Sequence, residues 1–292
     1  MPRPTKPSSS SHVRKAKGDR RKARNTAPPL RAKGQNSPLS TAQNGVWLYG
    51  RHAVDAALSN PKRSCLKLIA TKDSLNLLGA PAHERAQQIE SHVVEKSDID
   101  AFLPPDSLHQ GLALCALPLP SLHPDDLVRM SVDDKQCTVI ILDRVTDPRN
   151  IGAVLRSAAA FGVLAVILPD RHAPEETGAL AKAASGALEH VPLVRVSNLA
   201  RAITILQQGG FWIAGMTAHD SVPLHKAGLS GKVGLVLGSE GTGMRSLTEK
   251  HCDLLVHLPM ENVVESLNIS SAAAIGLYEL YRTTLIDSDQ AP

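Results

Sequence analysis

Aromatic side chains are scarce, at 3% of 292 residues: two Trp, three Tyr and three Phe. So few rings argue against a protein that grips single strands mainly by base stacking. Recognition must rest on backbone groups and charge. The four cysteines, Cys65, Cys115, Cys137 and Cys252, are far apart and form no C-x-x-C pair. Neither a zinc site nor a disulfide framework is indicated, and reduced thiols in a cytosol are expected. No apolar run approaches the ~18 residues of a membrane span, and no apolar core of a secretory signal follows the first residues. The twelve His show no H-E-x-x-H or H-x-x-x-H spacing, so no metal is expected. Also missing are a G-x-G-x-x-G turn after the first buried strand and a G-x-x-x-x-G-K-[ST] loop, which removes most support for a dinucleotide dehydrogenase or a P-loop NTPase.

What is present begins with a lopsided charge. The net charge is only +4, but residues 1–44 carry eleven Lys or Arg against Asp19 alone, a net of +10, while the rest carries 21 basic and 27 acidic residues. A basic arm on a mildly acidic body suits a polyanion, since each cation that neutralises a phosphate releases a counterion. Few apolar residues lie in this stretch, so a disordered arm is expected. Its prolines (Pro2, Pro4, Pro7, Pro28, Pro29, Pro38) would break the amphipathic helix of an organellar transit peptide.

With 42% hydrophobic residues the chain can bury a sizeable core, in two domains by length. WLYGRHAVDAALSN reads as a turn into a helix with Ala53, Ala56, Ala57 and Val54 inward. LKLIAT, a helix over 82–90, HVVEK, a short helix after Ser97 and GLALCAL complete a small α/β unit over 46–118. The Pro-punctuated stretch 119–136 reads as a linker. A second α/β series over 137–286 opens with TVIILD, apolar enough for burial on both faces of a parallel sheet. A helix over 151–161, then LAVILP, LVRV, WIAGM, VGLVLG and LLVHLP, and a last helix SAAAIGLYELYR, follow at βαβ spacing.

Three segments in the second unit carry chemistry. In DPRNIGAVLRSAAAFG, Asn150 stands at the start of a helix, where capping or binding are both open, and Arg156 is the conspicuous charge of an otherwise apolar helix. In LVLGSEGTGM, Gly238, Gly241 and Gly243 allow close approach or positive φ at the end of a strand, and Glu240 is an acid among small residues. In LPMENVVESLNISSAAAIGLYE, Ser266, Asn268 and Ser270 precede an Ala-rich helix whose free N–H groups suit an anion, or which they simply cap.

In this order and spacing the three segments resemble the three motifs of the SpoU (TrmH-like) RNA ribose methyltransferases of the SPOUT superfamily. The branch most similar acts on a guanosine of bacterial 23S rRNA. YGRHAVDAAL, KLIAT and HQGLAL resemble the small N-terminal substrate-binding domain of that family, so the likeness runs over about 46–283. It implies a C-terminal trefoil-knotted methyltransferase domain binding S-adenosylmethionine, against the general rule that chains are un-knotted. It implies a cytoplasmic homodimer with sites drawn from both subunits. By residue, Asn150 and Arg156 match the first motif's catalytic positions, Glu240 the second's acid, and Ser266, Asn268 and Ser270 the polar positions of the third. Gly238, Leu258 and Leu267 fall where the family holds the cofactor, with Thr217 a further cofactor candidate. ENVVES departs from the small-residue stretch usual in the third motif, which bears on loop detail and substrate choice.

The resemblance implies methyl transfer to a ribose 2'-hydroxyl. A guanidinium is a poor general base, so Arg156 is expected to orient the hydroxyl and screen phosphate. His52 and His109 lie in the substrate-binding segments, where an RNA contact competes with ordinary turn packing. Two rival readings remain: the same chemistry on tRNA, and a non-catalytic RNA-binding ribosome-assembly protein on the same fold.

Overall fold

A computed structural model describes residues 45–171, 173–218, 221–261 and 263–289. The expected basic arm over 1–44 lies outside the described residues.

The first described elements are β1 (Val46–Tyr49), α1 (Arg51–Ser59), β2 (Cys65–Ala70), α2 (Lys72–Leu75), α3 (Ala80–Gln88), β3 (Glu90–Val93), α4 (Lys96–Phe102) and β4 (Leu112–Ala116). The strands form one sheet in the order β1-β4-β2-β3. β4 runs antiparallel to β1 and β2, and β2 runs parallel to β3. All five residues of β4 are buried, as expected for a strand flanked on both edges and covered on both faces. Trp47, Leu48 and Tyr49, which the sequence suggests as a turn, form the strand β1; bulky and aromatic residues fit its half-buried pleat. On α1 the buried residues are Ala53, Val54, Ala57 and Leu58, an i, i+1, i+4, i+5 stripe.

The remaining elements are α5 (Pro124–Met130), β5 (Cys137–Leu142), α6 (Pro148–Ala160), β6 (Ala165–Pro169), α7 (Gly178–Ala184), β7 (Leu193–Val196), α8 (Leu199–Gln208), β8 (Trp212–Met216), β9 (Val222–Pro223), β10 (Lys232–Leu237), α9 (Ser246–Lys250), β11 (Leu254–His257) and α10 (Ile269–Asp289). The strands make a wholly parallel sheet in the order β7-β6-β5-β10-β8-β11-β9. Alternate residues of each strand feed opposite faces. Ile140, Leu142, Val166, Leu168, Leu235 and Leu237 share a core with α6, α7 and α10. Val139, Ile141, Ala165, Ile167 and Val236 share the other with α8 and Leu127 of α5. The stretch read as a linker therefore holds a helix, because Leu127 joins the core on the α8 face.

The small sheet and the large one belong to a single compact unit. Their junction is polar as well as apolar. Arg63, 1% exposed, sits between Glu176 and Glu189, which flank α7. Its Nη1 donates to Glu176 Oε1 (2.5 Å) and to the Leu117 carbonyl (2.9 Å), its Nη2 to Glu189 Oε1 (2.6 Å) and its Nε to both Glu189 oxygens (3.1 Å each). Asn60 Nδ2 adds a bond to Glu189 Oε2 (2.8 Å). Burial alone would lower the Arg63 pKa, but the hydrogen bond to Glu189 and the charges of Glu176 and Glu189 raise it above its ordinary value.

The order of the large sheet matters for function. The chain runs outward through β5, β6 and β7, returns to lay β8 on the far side, and then inserts β10 between β5 and β8. The carboxyl ends of β5, β8, β10 and β11 thus gather at one edge, where open α/β sheets hold ligands.

Candidate active site

A cavity of about 470 Å³ opens at that edge. Eight of the residues singled out in the sequence line it: Thr217, Gly238, Glu240, Gly241, Gly243, Leu258, Ser266 and Leu267. Three loops supply them, after β8, after β10 and between β11 and α10.

The loop after β10 is folded back on itself. Ser239 N donates to the Gly243 carbonyl (3.2 Å) and Gly243 N to the Ser239 carbonyl (2.9 Å). Gly238 lies under this crossing, where a side-chain carbon would overlap the Gly243 carbonyl carbon and the Met244 nitrogen. Gly241 and Gly243 have φ of +79° and +62°, a region open to glycine at no steric cost. The three glycines therefore have distinct jobs, one for close approach and two for the reversal.

The fold holds Glu240 at the cavity's rim, and three donors converge on its Oε1: Asn268 Nδ2 (2.9 Å), the backbone N of Ile269 (3.2 Å) and Asn150 Nδ2 (3.3 Å). Asn268 Nδ2 also reaches Asn150 Oδ1 (3.1 Å). Residues 118 positions apart in the chain are thereby joined around one carboxylate oxygen. Among the described residues, the hydrogen bonds to this carboxylate all end on Oε1, so Oε2 is uncommitted.

The structure shows residue by residue which of these side chains cap a helix. Asp147, not Asn150, caps α6, its Oδ1 accepting from Arg149 N (2.8 Å). Asn150 sits inside the first turn with its side chain free to reach across to Glu240. Asn268 uses both ends of its amide: its Oδ1 accepts from the Ser270 N (2.9 Å) and Oγ (2.6 Å) while its Nδ2 donates to Asn150 and Glu240. Ser270 is thus spent on the start of α10 and does not line the cavity. Thr217 lines it, with its backbone N bonded to the Val256 carbonyl (2.8 Å) and its hydroxyl 3.0 Å from Ser221 Oγ, which in turn lies 3.2 Å from His257 Nδ1. Arg156 stands apart. Six residues beyond Asn150 on α6, it is turned by roughly 240° from it, is exposed, and does not line the cavity. His109 is a packing residue: 2% exposed, it bonds Asp100 Oδ1 (2.8 Å) and accepts from Gly111 N (3.1 Å). His52 is exposed on α1.

Some lining residues were not singled out in the sequence, among them Ser239, Thr242, Met260 and Glu265. Below the loop, Asp143 is wholly buried at the end of β5. Its Oδ2 accepts from the backbone N of Arg245 (2.8 Å), and Arg245 Nε lies 3.3 Å from Oδ1, an ion-pair distance without hydrogen-bond alignment. The signal for it was an acid placed directly after the apolar run TVIIL.

Residues 137–278 match the model of the SpoU rRNA Methylase family. A 23S rRNA (guanosine-2'-O-)-methyltransferase RlmB of Pasteurella multocida is 37% identical over 241 residues, 82% of this chain and 98% of that one. The chain belongs to the SpoU rRNA methylase family. It is an RNA methyltransferase of that family with the parallel α/β fold of its members. An uncharacterised tRNA/rRNA methyltransferase of Synechocystis sp. is 38% identical over 248 residues, 80% of this chain; this SpoU chain spans 62% of that protein's length. In fold it resembles the SpoU methyltransferase AviRb of Streptomyces viridochromogenes, solved with AdoMet, at a TM-score of 0.69 and 22% identity over 85% of this chain and 95% of that one. For a SpoU methylase the cavity has fitting chemistry. Backbone from three strand ends, the apolar Leu258, Met260 and Leu267, and the polar Thr217 and Ser266 make a concave, mixed surface of ligand-pocket size.

Proposed function

We propose that this SpoU methylase transfers a methyl group from S-adenosylmethionine to the 2'-hydroxyl of a guanosine ribose in bacterial 23S rRNA. The observation that carries the reading is the convergence of Asn150, Glu240 and Asn268 on the rim of the 470 Å³ cavity. Thr217, Gly238, Leu258 and Leu267 hold the cofactor, largely by backbone groups and apolar contact. When bound, it supplies an electrophilic methyl on a positively charged sulfur.

The chain's own residues then position the nucleophile. The two Asn amides and the Ile269 N–H fix Glu240 by Oε1 and leave Oε2 for the substrate side, where it accepts the hydroxyl proton directly or through water. Ser266, exposed on the cavity wall, orients the ribose. Holding hydroxyl and methyl in line supplies several kcal/mol, up to ~7–11 in favourable intramolecular cases. Arg156, on the outer side of α6, acts in the partner's site, as the resemblance implies for a homodimer. An apolar stripe on α10, Ile275, Tyr278, Tyr281 and Leu285, each at least 40% exposed and within one arc of the helix, supports that dimer. The trefoil knot is proposed for residues 137–286, where β10 enters between earlier strands and Leu258, Met260, Ser266 and Leu267 share a cavity with the loop after β10. Residues 46–118 are assigned to RNA binding, 119–136 to the connection, and the basic residues of 1–44 to phosphate contacts. The enzyme is placed in the cytoplasm with its ribosomal substrate; no described helix is long and apolar enough to cross a membrane.

The test is transfer of labelled methyl from S-adenosylmethionine to protein-free 23S rRNA, to precursor particles and to tRNA, by wild type and Arg156→Ala, followed by nucleoside analysis. The expected product is 2'-O-methylguanosine in large-subunit RNA, lost in Arg156→Ala. Label in tRNA alone would move the substrate to tRNA; no transfer to any of the three would overturn the catalytic reading.

A further inference from the structure

On the other side of the glycine loop lies a second recess of about 400 Å³. Three arginines line it, Arg144, Arg171 and Arg245, with the hydroxyls of Thr146, Ser239 and Thr242. The arginines come from separate places: Arg144 directly after β5, Arg171 after β6 and Arg245 before α9. No carboxylate lines the recess among the described residues. The acid behind it, Asp143, is wholly buried and anchors Arg245 through its backbone N and Nε, leaving the outer guanidinium nitrogens for the recess. Local charge therefore exceeds what Asp143 offsets.

Two further observations give the recess a direction. Ser239 and Thr242, whose hydroxyl oxygens are 2.6 Å apart, line both this recess and the cofactor cavity, so a single loop thickness separates them. Arg144 holds φ = +64°, the left-handed region that disfavours a side chain. Strain of this kind persists where the surrounding structure imposes it, and clusters at ligand clamps. A guanidinium fork matches the paired oxygens of a phosphate bidentately, and hydroxyls complete such a seat.

We propose that this recess seats a phosphodiester of the substrate RNA adjacent to the ribose being methylated, with Arg144 and Arg171 as positioning residues. The proposal rests on the RNA 2'-O-methyltransferase reading above and adds where the backbone next to the target is held. The seat fixes the strand on one side of the loop while the reacting hydroxyl reaches the cavity on the other. Neither arginine touches the reacting atoms.

The test uses the full chain, unmodified 23S rRNA made by transcription, and the variants Arg144→Gly and Arg171→Gln. Glycine suits φ = +64°, so Arg144→Gly is expected to melt no lower than wild type. The expected result is an RNA KM raised about tenfold or more for each variant, as for one lost charge-assisted hydrogen bond. The slope of log K against log salt should also become shallower by roughly 0.7–0.9 per lost phosphate contact, with S-adenosylmethionine affinity unchanged. Inorganic phosphate should inhibit wild type more than Arg144→Gly. Unchanged RNA KM and salt slope in both variants, with methyl transfer intact, would overturn the seat while leaving the enzyme reading standing. Weakened S-adenosylmethionine binding with an unchanged RNA slope would reassign the recess to the cofactor. Absence of methyl transfer by wild type to this RNA and to precursor particles would instead remove the reading on which the seat depends.

Discussion

Around Arg63 and around Glu240 the chain assembles the same kinds of groups, carboxylates with nitrogen donors, to opposite ends. The Arg63 cluster is buried, and every Arg63 nitrogen is engaged by Glu176, Glu189 or the Leu117 carbonyl. The Glu240 cluster is open to solvent, and its donors among the described residues are stacked on one oxygen with the other left over. A polar cluster whose valences are all filled locks two parts of a fold together; one held by half of its valences is preorganised for something outside it. The contrast separates stability from chemistry, and each half is open to test.

The largest effect is expected on stability. Arg63→Ala leaves Glu189, with 2% of its side chain exposed, without its main partner, and should cost about 3–5 kcal/mol in a denaturant titration. Replacing Arg63, Glu176 and Glu189 together by apolar residues of similar volume should recover most of that loss, because no uncompensated charge remains. A loss under about 1 kcal/mol for Arg63→Ala would break the comparison, since it would equate this cluster with an ordinary surface pair. Because the folded state raises the Arg63 pKa, its contribution is fully present below the unfolded value, itself far above neutrality, and is lost only as pH rises through the folded one. The junction is therefore expected to be insensitive to pH near neutrality.

At the open cluster the effect moves from stability to rate. Glu240→Gln keeps shape but places an amide where an acceptor is needed, and kcat should fall by about 10²–10⁴ with the unfolding midpoint close to wild type. An unchanged kcat would assign the proton to another acceptor. Gly238→Ala should act in between: the added methyl displaces the loop crossing, so a loss of about 1–3 kcal/mol is expected together with weaker cofactor binding in calorimetry.

The smallest effect sharpens the distinction from the side of ordinary burial. Burial pushes the Cys65 and Cys137 thiols up to about 11 and Cys252 to about 12, from a usual value of 9.0. The native state thus holds these protons after the unfolded state has released them, and stability should decline as pH rises above about 9. Melting curves from pH 8 to 10.5 would show it, and thiol reagents should label the native protein slowly at pH 8.

Much of the site was legible because each motif sits where a strand ends and its residue types suit only a few uses. VLGSEGTGM announced a reversal with close backbone approach, and Gly238, Gly241 and Gly243 fill those roles. TVIILD announced a buried parallel strand, and β5 is one. The capping question was not legible. Asn150 and Asp147 are both acceptable caps in sequence, and only the path of the chain into α6 selects Asp147. The helix α5 was hidden by its prolines, since Pro124 at the first helical position reads as linker until α8 is there to cover. Arg63 gave no sign at all, lying in a turn 113 residues before Glu176 and 126 before Glu189.

The sequence by itself determined most of the elements, the uneven charge and the three motifs, because those depend on local periodicity, turn chemistry and residue type. Tertiary structure alone decided which groups meet. Inserting β10 between β5 and β8 is what brings Asn150, Glu240 and Asn268 around one oxygen and sets Arg144, Arg171 and Arg245 around one recess. Pairings across such separations are fixed by strand order and packing, and neither has a period that a single sequence displays.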